Sequence, residues 1–90
     1  ASLQAEDPYD SYKKSFRVHG YLVEVCDRSL GEILDYIPSA QRDIVLLSYF
    51  LDYSDYEISK LLNMNKNTVQ YRRNATLRRL KQLLEDLEHE

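Results

Sequence analysis

The sequence is poor in residues on which several classes of protein depend. Its 90 residues include two glycines, two prolines, two histidines and a single cysteine, Cys26. One cysteine cannot form an internal disulfide, and two glycines are too few for a glycine-rich phosphate-binding loop. We interpret Cys26 as a small buried residue rather than as a ligand or nucleophile, and we expect a reducing, cytoplasmic environment.

Long hydrophobic runs are also missing. No apolar stretch approaches the roughly 18 residues that span a bilayer, and no charged segment followed by an apolar one opens the chain as in a signal peptide. The composition, 43% hydrophobic and 30% charged, is typical of one small globular domain. We therefore expect a soluble protein with no membrane partner.

The patterns of catalytic and metal sites are missing as well. His19 and His89 lie far apart, and together with one cysteine they do not form a zinc-ligand spacing. The sequence has neither a nucleophile elbow nor paired carboxylates placed with a base. We predict no catalytic residue, no metal ligand, no cofactor and no enzyme activity.

Charge is unevenly distributed along the chain. The overall net charge is −3, but residues 63–84 carry six basic side chains and no acidic one. Such a stretch attracts polyanions over a Debye length of about 10 Å at 0.1 M salt. Charge alone leaves two interpretations open, a nucleic-acid-binding surface and an ordinary solvated helix face.

The first quarter of the chain predicts a leader and a hairpin. Residues 1–14 have no sustained period, and we predict a flexible leader there. Residues 15–26 alternate apolar and polar side chains on both sides of His19-Gly20. This pattern predicts a β-hairpin with a type I′ turn in which Val18 faces Tyr21. A lone hairpin is marginal in water, so its apolar face is expected to pack against helices.

Two helices are predicted after the hairpin. Ser29 and Glu32 have the spacing of a capping box, which predicts the start of the first helix. Pro38 ends that helix, since the residue before a proline disfavours helical backbone. Ser39 is then expected to cap a densely apolar second helix that continues through Phe50.

Two further helices are predicted around a tight turn. A second capping box at Ser54 and Glu57 begins a short helix, which ends at Asn63 because asparagine tolerates left-handed backbone. Asn65 is a strong N-cap for a last helix of about 35 Å over residues 66–88. Its leucines up to Leu87 are spaced as in a coiled coil, but the run is short and core packing is expected.

A short capped helix, a tight turn and a basic helix together predict a helix-turn-helix. The second helix of such a pair enters the DNA major groove, where Lys and Arg match guanine and Asn and Gln match adenine. Arginines further along neutralise phosphates, and the amides that begin the preceding helix can hold one. The candidate DNA-binding residues are Ser54, Lys66, Asn67, Thr68, Gln70, Tyr71, Arg72, Arg73, Arg78 and Arg79.

Residues 29–85 resemble region 4 of bacterial RNA polymerase sigma factors. They are most similar to short sigma-like regulators of conjugative transposons, which share the pattern YF.D.SD.EI..LL..N..TV. The matching positions are Ile37-Pro38, Arg42, Ile44 to Leu47, Tyr53-Ser54, Glu57-Ile58, Leu61-Leu62, Thr68-Val69 and Leu77 to Leu80.

The resemblance implies a function in transcription. Region 4 of that family reads the −35 promoter element and docks on the flap of the polymerase β subunit. By position, the resemblance implies base contacts from Lys66, Asn67 and Tyr71. It implies phosphate or base contacts from Gln70, Arg72 and Arg73.

The chain also departs from the family pattern. Asn63 stands where many members have glycine, and Ala75 stands where they have a basic residue. Both differences affect which bases are read. No segment resembles the region that recognises the −10 element, so the chain is expected to be either a fragment of a longer factor or a stand-alone regulator. We favour the stand-alone regulator, because the predicted hairpin lies next to the first helix.

The sequence thus predicts a mainly α-helical domain over residues 15–90, with a small amino-terminal hairpin and four helices that end in a helix-turn-helix. The expected function is sequence-specific binding of double-stranded DNA, with RNA polymerase or a second copy of the chain as possible further partners. Two alternatives stay open. One is an adapter of the same fold that binds polymerase or an anti-sigma protein without DNA, and the other is the DNA-binding domain of a response regulator.

Overall fold

The structure is a computed structural model that describes residues 12–88. The predicted fold class is confirmed, since a two-stranded hairpin precedes four helices. The predicted leader lies outside the described residues except for its last three, and residues 89–90 lie outside them too. The elements are β1 (Lys14–Val18), β2 (Tyr21–Val25), α1 (Arg28–Tyr36), α2 (Ser39–Val45) with a π-helical continuation (Leu46–Phe50), α3 (Asp55–Leu62) and α4 (Lys66–Glu88).

The hairpin has the predicted turn and register. His19 and Gly20 have φ values of 46° and 86°, the positive values that a type I′ turn requires at both central positions. Val18 pairs with Tyr21 in an antiparallel ladder. The inner face of the hairpin is buried against the helices through Phe16, Val18, Val23 and Val25.

Helix α1 begins two residues earlier than predicted. Its N-cap is Asp27, whose Oδ1 accepts a hydrogen bond of 3.1 Å from the backbone N–H of Leu30. The predicted capping box at Ser29 and Glu32 is therefore wrong. Aspartate caps as well as serine does, and starting at Arg28 leaves Ser29 inside the first turn. Glu32 instead lies 3.9 Å from the guanidinium of Arg28.

Helix α2 also has a different cap and a different end. Pro38 is the N-cap, and Ser39 is the first helical residue, so the predicted capping role of Ser39 is wrong. The Pro38 carbonyl accepts the amide of Arg42 at 3.0 Å. The helix reaches Phe50 as predicted, but its last turn widens to π-helical spacing, with the amide of Leu51 bonded to the carbonyl of Leu46.

The helix-turn-helix forms where the sequence predicts it. Both hydrogen bonds of the capping box at Ser54 and Glu57 are present. Helix α3 ends at Asn63, which adopts the left-handed conformation with φ 55°. The side chain of Asn65 then accepts the amide of Asn67 at 2.7 Å and caps the start of α4.

One hydrophobic core joins the hairpin to all four helices. Helix α4 contacts α1, α2 and α3. Two expectations about single residues are wrong: Cys26 is exposed just after β2, and Leu87 is exposed near the end of α4. The helical residues of the core are Ile33, Leu34, Ile44, Val45, Leu46, Leu47, Ile58, Val69 and Leu80, together with Ile37 between α1 and α2.

A tyrosine pair connects the hairpin to the loop before α3. The hydroxyls of Tyr21 and Tyr53 share a hydrogen bond of 2.7 Å, and the rings meet edge to face with centroids 6.1 Å apart. The hydrogen bond to Tyr21 raises the pKa of the Tyr53 phenol. The hairpin therefore packs beside the segment that leads into the helix-turn-helix.

Asp27 and Ser29, the two candidate N-caps of α1, are expected to differ in how much they stabilise the fold. Asp27→Ala should lower the free energy of unfolding by about 1 kcal/mol, because it removes the acceptor for the Leu30 amide. Ser29→Ala, the matched control, should change it by about 0.5 kcal/mol or less. Urea unfolding followed by circular dichroism measures both, and a larger loss for Ser29→Ala would show that the predicted box is the real cap.

Candidate nucleic-acid interface

The candidate interface begins with the packing of α3 on α4. Ile58 of α3 and Val69 of α4 are completely buried, and the two helices are joined by a turn of residues 63–65. Apolar contact thus fixes one side of α4. The opposite side of α4 is left exposed.

The exposed side of α4 carries a row of polar side chains, which we call the reading row. Asn67, Tyr71, Asn74 and Arg78 are three or four residues apart and therefore lie along one line of the helix. All four are exposed, and Tyr71 retains 70% of its accessible surface. Asn74 is a member that sequence reasoning missed, although its spacing from Tyr71 could have identified it.

Other predicted residues border the reading row at the start of α4. Lys66 is the first helical residue and is exposed, as is Gln70. Thr68 is half-buried. The first turns of α4 therefore present one ammonium group and several amide and hydroxyl groups.

On one flank of the reading row, two arginines line an open groove of about 450 Å³. Arg72 and Arg79 are seven residues apart and both are exposed. The far wall is formed by the beginning of α2 at Pro38, Ala40 and Gln41. Because no carboxylate lines this groove, its electrostatic potential is set by the two guanidinium groups.

On the other flank, Arg73 is directed toward α3. Its Nε and Nη2 atoms donate to the two carboxylate oxygens of Asp55 at 2.8 and 2.9 Å. Only 21% of the Arg73 side chain and 18% of the Asp55 side chain are exposed. The structure thus separates Arg73 from the other predicted arginines, which are exposed.

The ion pair shifts both titrating groups. Hydrogen bonding to Arg73 lowers the pKa of the Asp55 carboxyl below its ordinary value, and the nearby Lys66 charge acts in the same direction. The hydrogen bond that Arg73 donates to Asp55 raises the pKa of the Arg73 guanidinium. Both groups are therefore charged near neutral pH.

Ser54 lies at the exposed start of α3 and is occupied by the capping box. Its Oγ accepts the Glu57 amide at 3.1 Å, while its own amide donates to the Glu57 carboxylate at 2.8 Å. The hydrogen of the Ser54 hydroxyl is not used in these two bonds. The Glu57 carboxylate is likewise held by its capping role.

Residues 12–88 contain neither a cluster of metal ligands nor a membrane-spanning helix. Within this part of the chain, no three His, Cys, Asp or Glu side chains lie close enough together to hold a metal ion. Among the helices described, none is long and apolar enough to cross a membrane.

Comparison with protein families decides the classification. The family described as sigma-70, region 4 matches residues 27–85, about two thirds of the chain. The chain belongs to the sigma-70 region 4 family. The matched segment begins at Asp27, the N-cap of α1, and ends three residues before the end of α4. It contains α1, α2, α3 and most of α4, and it excludes the hairpin. Searches of the curated proteins and of the solved structures find no match.

Membership of this family gives the chain a general function in transcription. Sigma-70 region 4 is a helix-turn-helix domain of transcription that binds DNA and has no enzymatic role. The predicted likeness to regulators of conjugative transposons stays a prediction. The hairpin is an element of this chain that lies outside the family match.

The lowered pKa of the Asp55 carboxyl predicts how the stability of the fold depends on pH. A carboxyl whose pKa is depressed in the folded state stabilises the fold above its unfolded-state value of 3.8, and that stabilisation is lost as the pH falls through the lowered pKa. Asp55→Asn should therefore melt at a lower temperature than wild type at pH 7, and the gap should close below about pH 3.8. Thermal unfolding of both proteins from pH 7 to pH 2.5 measures it, and a gap that is constant with pH would refute the assignment.

Proposed function

We propose that the chain is a sequence-specific transcription regulator whose helix α4 reads a promoter element of the −35 type. The observation that carries this proposal is the reading row of Asn67, Tyr71, Asn74 and Arg78, which is exposed along α4 beside the flank of Arg72 and Arg79. Membership of the sigma-70 region 4 family supports the same conclusion.

The dimensions and chemistry of α4 suit a major groove. A helix with side chains is about 10–12 Å across, and the groove is about 12 Å wide. Lys66 can donate to guanine acceptors, and the amides of Asn67 and Gln70 can pair with an adenine edge. Tyr71 offers an exposed ring for contact with a thymine methyl group. We propose that these residues and Thr68 select the sequence.

Phosphate contacts are proposed on both sides of the reading row. Arg72 and Arg79 share one flank, so both can meet the same DNA strand, and Arg78 extends the row toward the groove edge. The free hydroxyl hydrogen of Ser54 can donate to a phosphate at the start of α3. Such contacts determine affinity and register rather than sequence preference.

A single domain of this size makes few contacts. One DNA-binding module buries about 600–1,000 Å² of protein surface. We therefore propose weak binding by the isolated monomer, with useful occupancy supplied by RNA polymerase or by a second copy on a tandem site. Nanomolar affinity of a monomer at physiological salt would contradict this part of the proposal.

An apolar groove supports the polymerase contact. It has a volume of about 570 Å³ and is lined by residues of α1, α2, its π-helical continuation and α4. Tyr49 and Phe50 at its rim are 59% and 39% exposed, although both carry large aromatic rings. We propose that a helix of the polymerase flap occupies this groove, as the family membership leads us to expect.

The DNA proposal is tested by anisotropy with a labelled duplex from upstream of the gene's own operon, titrated at several salt concentrations beside a scrambled duplex. The expected log–log salt slope is about −3 to −5, with preference for the specific duplex. Arg72→Gln should weaken binding to both duplexes and reduce the slope by about 1, since it removes one phosphate contact. Asn67→Ala should lower the preference and leave the slope unchanged.

Arg17→Gln is the control, because it removes the same charge from the exposed outer face of the hairpin. It should leave both affinity and slope near the wild-type values. If wild type binds neither duplex at about 50 mM salt while it still binds polymerase, the adapter alternative replaces this proposal.

The proposed polymerase contact predicts a variant that loses polymerase binding and keeps DNA binding. Phe50→Glu places a charge at the rim of the apolar groove, so it should abolish binding to the isolated polymerase flap domain. Its DNA affinity should stay within about twofold of wild type, since Phe50 lies outside the reading row. Pull-down with the flap and anisotropy with the duplex measure the two activities, and unchanged flap binding would refute the contact.

A further inference from the structure

Arg73 differs from the other basic residues of α4 in how it is held. Its guanidinium forms a bidentate pair with Asp55, and less than a quarter of either side chain is exposed. A planar fork on a carboxylate fixes orientation as well as distance, and it is among the stronger polar contacts in proteins. The pair therefore constrains the geometry between two helices.

The ion pair lies where it can constrain the crossing angle of α3 and α4. Asp55 is the first residue of α3, and Arg73 lies two turns into α4. The other end of α3 is fixed to α4 by the turn that begins at Asn63. Eight helical residues span about 12 Å, so α3 is attached to α4 at both of its ends. Two attachment points along one helix determine its crossing angle with the other.

The same guanidinium also contacts the reading row. Arg73 Nη1 donates to the Oδ1 atom of Asn74 at 3.3 Å. With its oxygen held by Arg73, the Asn74 amide keeps its two N–H donors for an outside acceptor. The contact thus connects α3, through Arg73, to a side chain that faces the proposed DNA.

We propose that Asp55 and Arg73 form a clamp that sets the crossing of α3 and α4 and orients Asn74, so that Arg73 acts in DNA binding as a positioning residue. The proposal rests on the proposed function, and it changes the role that the sequence predicts for Arg73. The other candidate residues keep their proposed direct contacts.

A direct phosphate contact by Arg73 is disfavoured by its surroundings. To reach a phosphate, Arg73 would give up two charge-assisted hydrogen bonds and leave the Asp55 carboxylate without its partner. That carboxylate would then lie near a polyanion. The guanidinium would exchange a carboxylate for a phosphate, and the freed carboxylate would repel the DNA. The exchange therefore brings no gain in DNA affinity.

The clamp and the direct contact predict opposite signs for one variant. If Arg73 contacts phosphate, Asp55→Asn removes a competing negative charge and should strengthen DNA binding. If the pair is a clamp, Asp55→Asn should weaken specific binding about tenfold, although the protein gains positive charge, and the salt slope should not change. Asp52→Asn is the matched control, since it removes the same charge from the exposed loop before α3 and should not weaken binding.

Variants of Arg73 complete the test. Arg73→Gln should weaken binding about tenfold with an unchanged salt slope, and combining it with Asp55→Asn should cause little further loss, because both changes break one contact. Arg73→Lys keeps the charge and loses the fork, so it should weaken binding by a smaller factor at the same slope. Losses that add in the double variant, or a slope reduced by about 1 in Arg73→Gln, would overturn the clamp.

A measurement on the free protein separates this inference from the proposed function. Residual dipolar couplings of backbone amides give the orientation of α3 relative to α4, and circular dichroism reports whether each variant is folded. We expect Asp55→Asn and Arg73→Lys to stay helical and to show an altered α3–α4 orientation. An unaltered orientation would overturn the clamp, whether or not wild type binds DNA, whereas a failure of wild type to bind DNA with the orientation change present would refute only the proposed function.

Discussion

The structure depends on helix α4, which packs into the core on one side and is exposed on the other. One side of this helix packs against α1, α2 and α3 and buries Val69, Thr76 and Leu80, while the other carries polar and basic groups. Neither side can rotate without exposing the core or burying charge, since both are parts of one rigid helix. The apolar core therefore determines which side chains are available to DNA.

The charged side chains of α3 and α4 likewise differ in how exposed they are. The basic stretch at 63–84 lies within a chain whose net charge is −3, and its guanidinium groups are not equivalent. Arg72 and Arg79 are open to solvent beside α2, whereas Arg73 is paired with Asp55. The acidic residues at the start of α3 are likewise paired or used in capping, so they oppose a polyanion less than their number implies.

Local chemistry explains what could be predicted from the sequence. The His19-Gly20 turn, the box at Ser54 and the left-handed Asn63 each depend on a few neighbouring residues, and all three were predicted correctly. The cap at Asp27 was missed because two good N-cap residues compete within one turn. The Asp55–Arg73 pair joins residues 18 positions apart, so no local pattern could indicate it. Asn74 was not among the predicted residues, although its spacing of three residues from Tyr71 places it on the same line of α4.

The π-helical turn at Leu46–Phe50 has a consequence for sequence length. Such a turn holds one more residue than the regular helix it interrupts, and it is compatible with the tight exit at Asp52, whose φ is 64°. Because the turn accommodates its extra residue locally, deleting one residue here would restore regular helical spacing and would chiefly rearrange the turn itself. Homologous chains that lack one residue at this point should therefore differ at the rim of the apolar groove, where Tyr49 and Phe50 lie, even where the reading row is identical.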